Sequence, residues 1–267
     1  MAASVTPPLR QVRASFDAES ITVYQAFGHE IADAALSAGR FVAPFSLSRM
    51  TWVKPSFLWM MYRSGWASKP GQERVLSVRM SRAGFEEALG ESCLSHFDPE
   101  LHADQDAWRE QLRDCPTRVQ WDPERTLDGQ PHPHRSLQLG LSGLAVTRYV
   151  TAWILGIEDI TGTLARRCRG LDPLPDELPY PLPAAVAERI SATAAGSGRT
   201  DRKATQRSAR ASTAADRASW VPLARHDRAG IAGWSQKGVG STCDCARRTA
   251  VPYSPVPSSG ISGARDC

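Results

Sequence analysis

The segment Arg49-Met50-Thr51-Trp52-Val53-Lys54-Pro55-Ser56-Phe57-Leu58-Trp59-Met60-Met61-Tyr62-Arg63-Ser64-Gly65-Trp66 concentrates the chemically capable side chains of this chain. Arg49, Lys54 and Arg63 flank a run that is apolar nearly all round. A cation held beside a core must meet an anion or give up its charge. If the anion belongs to a ligand phosphate or carboxylate, Arg63 supplies a planar fork and Lys54 a point charge. If it is an Asp or Glu of the chain, or if the side chain reaches solvent, the cation is structural. Both readings stand for Arg63, and the structural one fits Arg49 better. The aromatics Trp52, Trp59, Tyr62 and Trp66 offer faces on which a base or nicotinamide stacks. Trp59 is expected in the core. Trp66, beside Gly65 and past the helical run, is the stacking candidate.

Outside this block the candidates are scattered. Tyr24 and Gln25 are neighbours on a strand and face opposite ways, with Tyr24 grouped among the ligand-binding residues. Gln25 would read an amide or ribose hydroxyl, or it is a satisfied buried amide. Carboxylates for acid–base work are Glu73, Asp122 and Glu124. Glu124 follows a strand end, where functional loops often sit, although a solvated Glu124–Arg125 pair is the plainer reading. Gln138 is polar on an alternating strand and faces either solvent or a cleft. The catalytic candidates are therefore Gln25, Glu124 and Gln138, and the ligand-binding candidates are Lys54, Arg63, Tyr62, Trp66 and Tyr24. Cys93, His96, Asp98, His102, His132 and His134 would supply a metal-dependent hydrolase. Their spacing closes no tetrahedral motif, so no metal site is expected. No strand is followed by a Rossmann or Walker loop, and no nucleophile-elbow or H-E-x-x-H pattern supports a hydrolase.

The elements that must position these residues alternate. Ile21 to Phe27 is a β-rich run ending at Gly28. His29 to Ala38 is a helix with Ile31, Ala34 and Leu36 inward, closed by Gly39. Met50 to Val53 is a short strand, and Pro55 stands in the first turn of the helix that follows, Ser56 to Tyr62. Apolar nearly all round, that helix is expected at the centre of the domain. Further strands are expected at Glu73–Met80, Thr117–Trp121 and Arg135–Leu141, and helices at Arg82–Leu89 and Ala103–Leu112. The clearest helix starts after Ser142-Gly143, with Val146, Tyr149, Val150, Trp153, Ile154 and Ile157 on one face. The fold class is α/β (α+β): one domain over residues 1–190 with a mixed, largely antiparallel sheet flanked by helices.

The net charge of +4 comes from 32 Lys and Arg against 28 Asp and Glu. Residues 191–267 hold 12 of the basic residues and 5 Asp, a surplus of +7, which leaves 20 basic against 23 acidic, or −3, for residues 1–190. That balance excludes a domain coated in basic charge for nucleic acid. The Ala/Ser/Thr/Arg/Gly-rich stretch from Ser191 is expected to be a disordered basic tail, able to make weak, salt-dependent contact with nucleic acid. No apolar run approaches the roughly 18 residues of a membrane span. The start MAASVTPPLR lacks an apolar core behind a basic opening, so the expected compartment is the cytoplasm.

Arg10-Gln11-Val12-Arg13-Ala14, Thr22-Val23-Tyr24-Gln25-Ala26-Phe27, the Arg49-to-Trp66 block, Val119-Gln120-Trp121-Asp122-Pro123-Glu124-Arg125 and Arg135-Ser136-Leu137-Gln138-Leu139-Gly140-Leu141 together resemble the bacterial and fungal family catalogued as domain of unknown function 4291. The likeness runs over about residues 8–183, and the family name implies no activity. A looser, fold-level likeness is to the ADP-ribosyltransferases: a first strand carrying Tyr24-Gln25, a short helix ending at Gly39-Arg40-Phe41, then further strands. It implies NAD held from the first strand and by a Glu on a later one, positions that Gln25 and Gln138 would occupy. A Gln touches a ribose hydroxyl but cannot stabilise an oxocarbenium ion by charge. Taken together, the residues point to an enzyme or binding domain for a phosphorylated ligand: a nucleotide, NAD or a nucleic-acid end. The alternatives are a non-enzymatic interaction module and the metal-dependent hydrolase.

Overall fold

A computed structural model of the chain describes residues 7–193. All but the first three residues of the expected tail, 191–267, lie outside it. The N-terminal part is β1 (Arg13–Ala14), β2 (Ser20–Phe27), α1 (His29–Ala38), β3 (Thr51–Val53), α2 (Phe57–Ser64), β4 (Arg74–Ser81) and α3 (Arg82–Gly90). Then come β5 (Ser92–Leu94), α4 (Gln105–Asp114), β6 (Thr117–Arg125), β7 (Pro131–Leu141), α5 (Leu144–Arg148), a π-helical turn at Tyr149–Trp153, β8 (Ile154–Asp159), α6 (Thr161–Cys168), β9 (Leu178–Pro179) and α7 (Ala184–Arg189).

Three sheets result: β2–β4–β8, β3–β7–β6–β5 and the small pair β1–β9. Every pairing is antiparallel except β5 with β6. The two larger sheets are one sheet torn between β2 and β3. At the tear Tyr24 and Lys54 form an isolated bridge, with N–H···O distances of 2.8 and 3.2 Å. The main core lies on one side of the torn sheet, where Ile21 and Val23 meet Leu76, Leu137, Leu139, Phe85 and Tyr149. A second cluster on the other side joins Tyr24, Val75, Phe57, Met60, Met61, Ile160 and Leu164, which docks α2 and α6.

The mixed α/β architecture is as expected, with differences that have physical causes. The helix expected after Gly143 lasts only five residues, loosens into the π turn, and passes into β8, which pairs with β4. The apolar face read at helical spacing is split: Val146, Tyr149, Val150 and Trp153 enter the main core, while Ile154 and Ile157 belong to β8. Trp153 lies so close to α3 that a Cβ on Gly84 would sit 2.3 Å from its ring. β6 does not stop at Asp122. It runs through Pro123 to Arg125, because β5 covers only its first three residues and leaves a free edge that tolerates a proline. β7 begins at Pro131, so His132 and His134 are strand residues. Pro55 stands before the N-cap of α2 rather than in its first turn; Ser56 is the cap, its side chain accepting the Trp59 N–H at 3.2 Å. In α1 the residues turned fully inward are Ala32 and Ala35.

Candidate functional site

β6 and β7 each have an apolar and a polar side. Val119, Leu137, Leu139 and Leu141 face the main core. The alternate residues share the opposite face: Gln120 is paired with Gln138, Asp122 with Ser136, and Trp52 of β3 with Gly140. Trp52 lies over Gly140, where an added Cβ would meet its ring at 3.0 Å. Lys54, two residues past Trp52, continues this polar face. Its main-chain bonds to Tyr24 at the tear fix where its side chain starts.

α2 covers part of this face. Its Phe57, Met60 and Met61 are committed to the second cluster, which turns Trp59, Tyr62 and Arg63 toward β6. Trp59 and Tyr62 stack with ring centroids 5.4 Å apart. The Arg63 and Arg125 guanidinium groups lie 6.0 and 5.8 Å from the centre of the Trp59 ring, and Arg125 lies 4.0 Å from that of Tyr62. Tyr62 is 36% exposed, so the group opens to solvent there. Among the described residues Lys54 is the most buried cation, 7% exposed, and the only hydrogen bond of its ammonium group is a long one of 3.5 Å to the Trp52 carbonyl. Burial, and then the Arg63 charge, bring its pKa down to about 7 against the pull of Asp122. Among the described residues none of Lys54, Arg63 and Arg125 makes an ion pair.

The carboxylate whose charge acts on Lys54 is Asp122. The Gln120 amide donates to its Oδ1 at 3.0 Å and the Gln138 amide to its Oδ2. At the rim, the Glu177 carboxyl accepts the Phe57 N–H at 2.6 Å at the start of α2, and the Arg13 guanidinium holds the Glu177 carbonyl at 2.7 Å. Burial, reinforced by the charge of Glu124, pushes Glu177 up to about 8. His134 is brought down to about 4, first by burial and then by His132 and Arg13.

Buried polar atoms almost always find a partner. Among the described residues, six buried side-chain atoms have none, and five of them line or flank this region: Trp59 Nε1, Arg125 Nε, His134 Nδ1, Ser136 Oγ and Arg167 Nε. Arg167 lies over the Phe57 ring. These five atoms are the hydrogen-bonding capacity of the region that the described residues leave unused.

The structure brings Lys54, Arg63 and Tyr62 together and sets Gln138 on the same polar face. Glu124 is buried at the rim, with its carboxylate on the Arg125 main-chain N–H at 2.8 Å. The solvated Glu124–Arg125 ion pair does not form. Trp66, the stacking candidate, lies apart from the Trp59–Tyr62 pair: it packs edge-on to Phe57, 5.9 Å between centroids, against the second cluster. Tyr24 is buried there too, edge-on to Phe57 at 5.5 Å. Gln25 is 2% exposed and fully engaged: its amide donates to Thr51 Oγ1 at 2.7 Å and accepts from the Tyr149 hydroxyl at 2.7 Å. Glu73 accepts the Gly71 N–H in a turn. The metal candidates are dispersed. Cys93 is a buried free thiol in β5, His102 bonds within its own turn to Asp98, and His132 and His134 lie ring to ring on β7. No group of three or more potential metal ligands occurs among the described residues.

Sequence reasoning missed Arg125 as a site residue, because its neighbour Glu124 offered an obvious partner. It missed Glu177 because that residue stands in a proline-rich stretch without periodicity.

The family described as Domain of unknown function (DUF4291) matches residues 11–173. The chain belongs to this family. The matched span takes in β2, α2, β6 and β7, so every element of the polar face lies within the DUF4291 region; Glu177 lies just beyond it. No curated protein matches the chain. No helix among the described residues is long and apolar enough to cross a membrane.

Proposed function

We propose that this DUF4291 domain binds a phosphorylated ligand between α2 and the polar face of β3, β7 and β6. Arg63 and Arg125 present guanidinium forks to the phosphate, and Lys54 lines the floor. The observation that carries this reading is the meeting of Arg63 and Arg125 at the Trp59–Tyr62 pair, with Lys54 near enough to feel the Arg63 charge, and among the described residues no carboxylate paired with any of the three. A guanidinium lying on a ring can still turn N–H groups to an anion; Arg125 spends one on the Gly129 carbonyl at 3.3 Å, and the rest of its fork remains for the ligand. Nucleotides, NAD and nucleic-acid ends all carry the required group. An ADP-ribosyltransferase-like use of the site draws no support from Gln25, whose amide is engaged internally.

The reading takes residues 1–190 as the functional unit, in the cytosol, with the tail as an accessory. Thermal shift of the full chain against ATP, GTP, NAD and a short 5′-phosphorylated RNA tests it. A ligand that binds only the folded state raises the melting temperature by mass action. Arg63→Ala and Arg125→Ala should each abolish the shift while leaving the unliganded melting temperature nearly unchanged. A shift that survives both substitutions places the ligand elsewhere.

A further inference from the structure

The anion-binding group accounts for one end of a ligand, and Asp122 speaks to the other. An aspartate carboxylate has two oxygens with about four acceptor sites and no donor. In this chain each oxygen takes one amide N–H, Oδ1 from Gln120 and Oδ2 from Gln138. No cation lies within ion-pair distance of it among the described residues. The two glutamines come from paired positions on neighbouring strands, so the carboxylate is held from two directions and cannot rotate freely. Its side chain is half-buried, on the same polar face as Lys54 and near enough for its charge to act on that amine. A carboxylate fixed this way, with one acceptor site unused on each oxygen, matches a partner presenting two adjacent N–H donors in one plane.

Among nucleobases that pattern belongs to guanine, whose N1–H and N2–H lie side by side. Adenine offers one amino donor next to a ring acceptor, which a carboxylate repels, and hypoxanthine offers N1–H alone. Resting on the phosphate reading above, we propose that the ligand is a guanine nucleotide or a guanine-ended nucleic acid, with Asp122 accepting both N–H groups of the base. Gln120 and Gln138 position that carboxylate, each spending one of its two amide N–H donors on it.

Calorimetric titration of the full chain with the 5′-monophosphates of guanosine, inosine, adenosine and xanthosine, and with ribose 5-phosphate, tests this. Loss of one N–H to a charged acceptor should weaken binding by about tenfold to a hundredfold. Guanosine monophosphate should therefore bind that much more tightly than inosine monophosphate, and adenosine monophosphate more weakly still. Asp122→Asn exchanges an acceptor for a donor and should shift the preference to xanthosine monophosphate, which has a carbonyl where guanine has its amino group. Equal affinity of wild-type protein for the guanosine, inosine and adenosine nucleotides would overturn the assignment and leave the phosphate reading intact. No binding by any of the five compounds would overturn both. The comparison within the wild-type chain decides the matter even if the variant does not fold.

Discussion

At the residue scale, two buried ionisable groups give opposite pH signatures. Glu177 has its folded pKa raised to about 8 by burial. Between its ordinary value and about 8 the folded state holds a proton that the unfolded chain has released, so stability falls as pH rises through that window. Glu177→Gln keeps an acceptor for the Phe57 N–H and removes the titration. It should add about 1–3 kcal/mol at pH 8 and little at pH 4.5, read by urea unfolding at both values. Lys54 is the mirror case, with its folded pKa lowered to about 7. Above pH 7 the unfolded chain holds a proton that the folded state has lost, so this lysine alone makes stability rise from pH 7 toward 9. Lys54→Met should raise stability by about 2–4 kcal/mol at pH 6.5. It should also flatten the rise measured between pH 7 and 9. A Lys54→Met protein no more stable than wild type at pH 6.5 would show that the amine is better solvated than its surroundings suggest.

At the element scale, the fold was most legible where one pattern governed one element. Residues 21–27, 29–38 and 74–81 each carry a clean period and a terminating glycine or cap, and each is found where expected. The segment 143–157 was illegible for a definite reason. Val146, Tyr149, Val150, Trp153, Ile154 and Ile157 fit a helix arithmetically, but β4 offers an unpaired edge that claims residues 154–159, and no local pattern reports that edge. The site was half legible. Lys54, Tyr62 and Arg63 sit in one dense block, whereas Arg125 and Asp122 reach it only through the β6–β7 pairing, and Trp66 turns inward because the chain bends back after Gly65. The junction of α3 with the π turn is also a point of vulnerability. Gly84→Ala would gain roughly 1 kcal/mol of helix propensity. Its methyl would lie 2.3 Å from the Trp153 ring, a flat group with no free end to swing away. Overpacking of about 1–3 kcal/mol should win, giving net destabilisation and a changed Trp fluorescence in denaturant titration.

At the scale of the whole molecule, the charge divides between the described domain and the tail. The acidic balance of residues 1–190 means that the proposed anion site would be a local exception in a surface field of the opposite sign. Encounter with a phosphorylated ligand should therefore gain little from long-range steering. The association rate measured by stopped-flow should change by less than about threefold between 50 and 300 mM salt, whereas steered complexes fall steeply over that range.

The tear between β2 and β3 also has a consequence in time. β2 is completed by β4, but β3 is completed by β7, far along the chain, where Val53 meets Leu139. Pairings between distant segments close late because long loops must be ordered before they are rewarded. The bridge that seats Lys54 spans both halves, so it can form only when each half already exists. In a refolding chain, secondary structure should return first and the capacity to bind ligand last. The nascent protein would pass through an interval in which it is nearly folded and chemically silent.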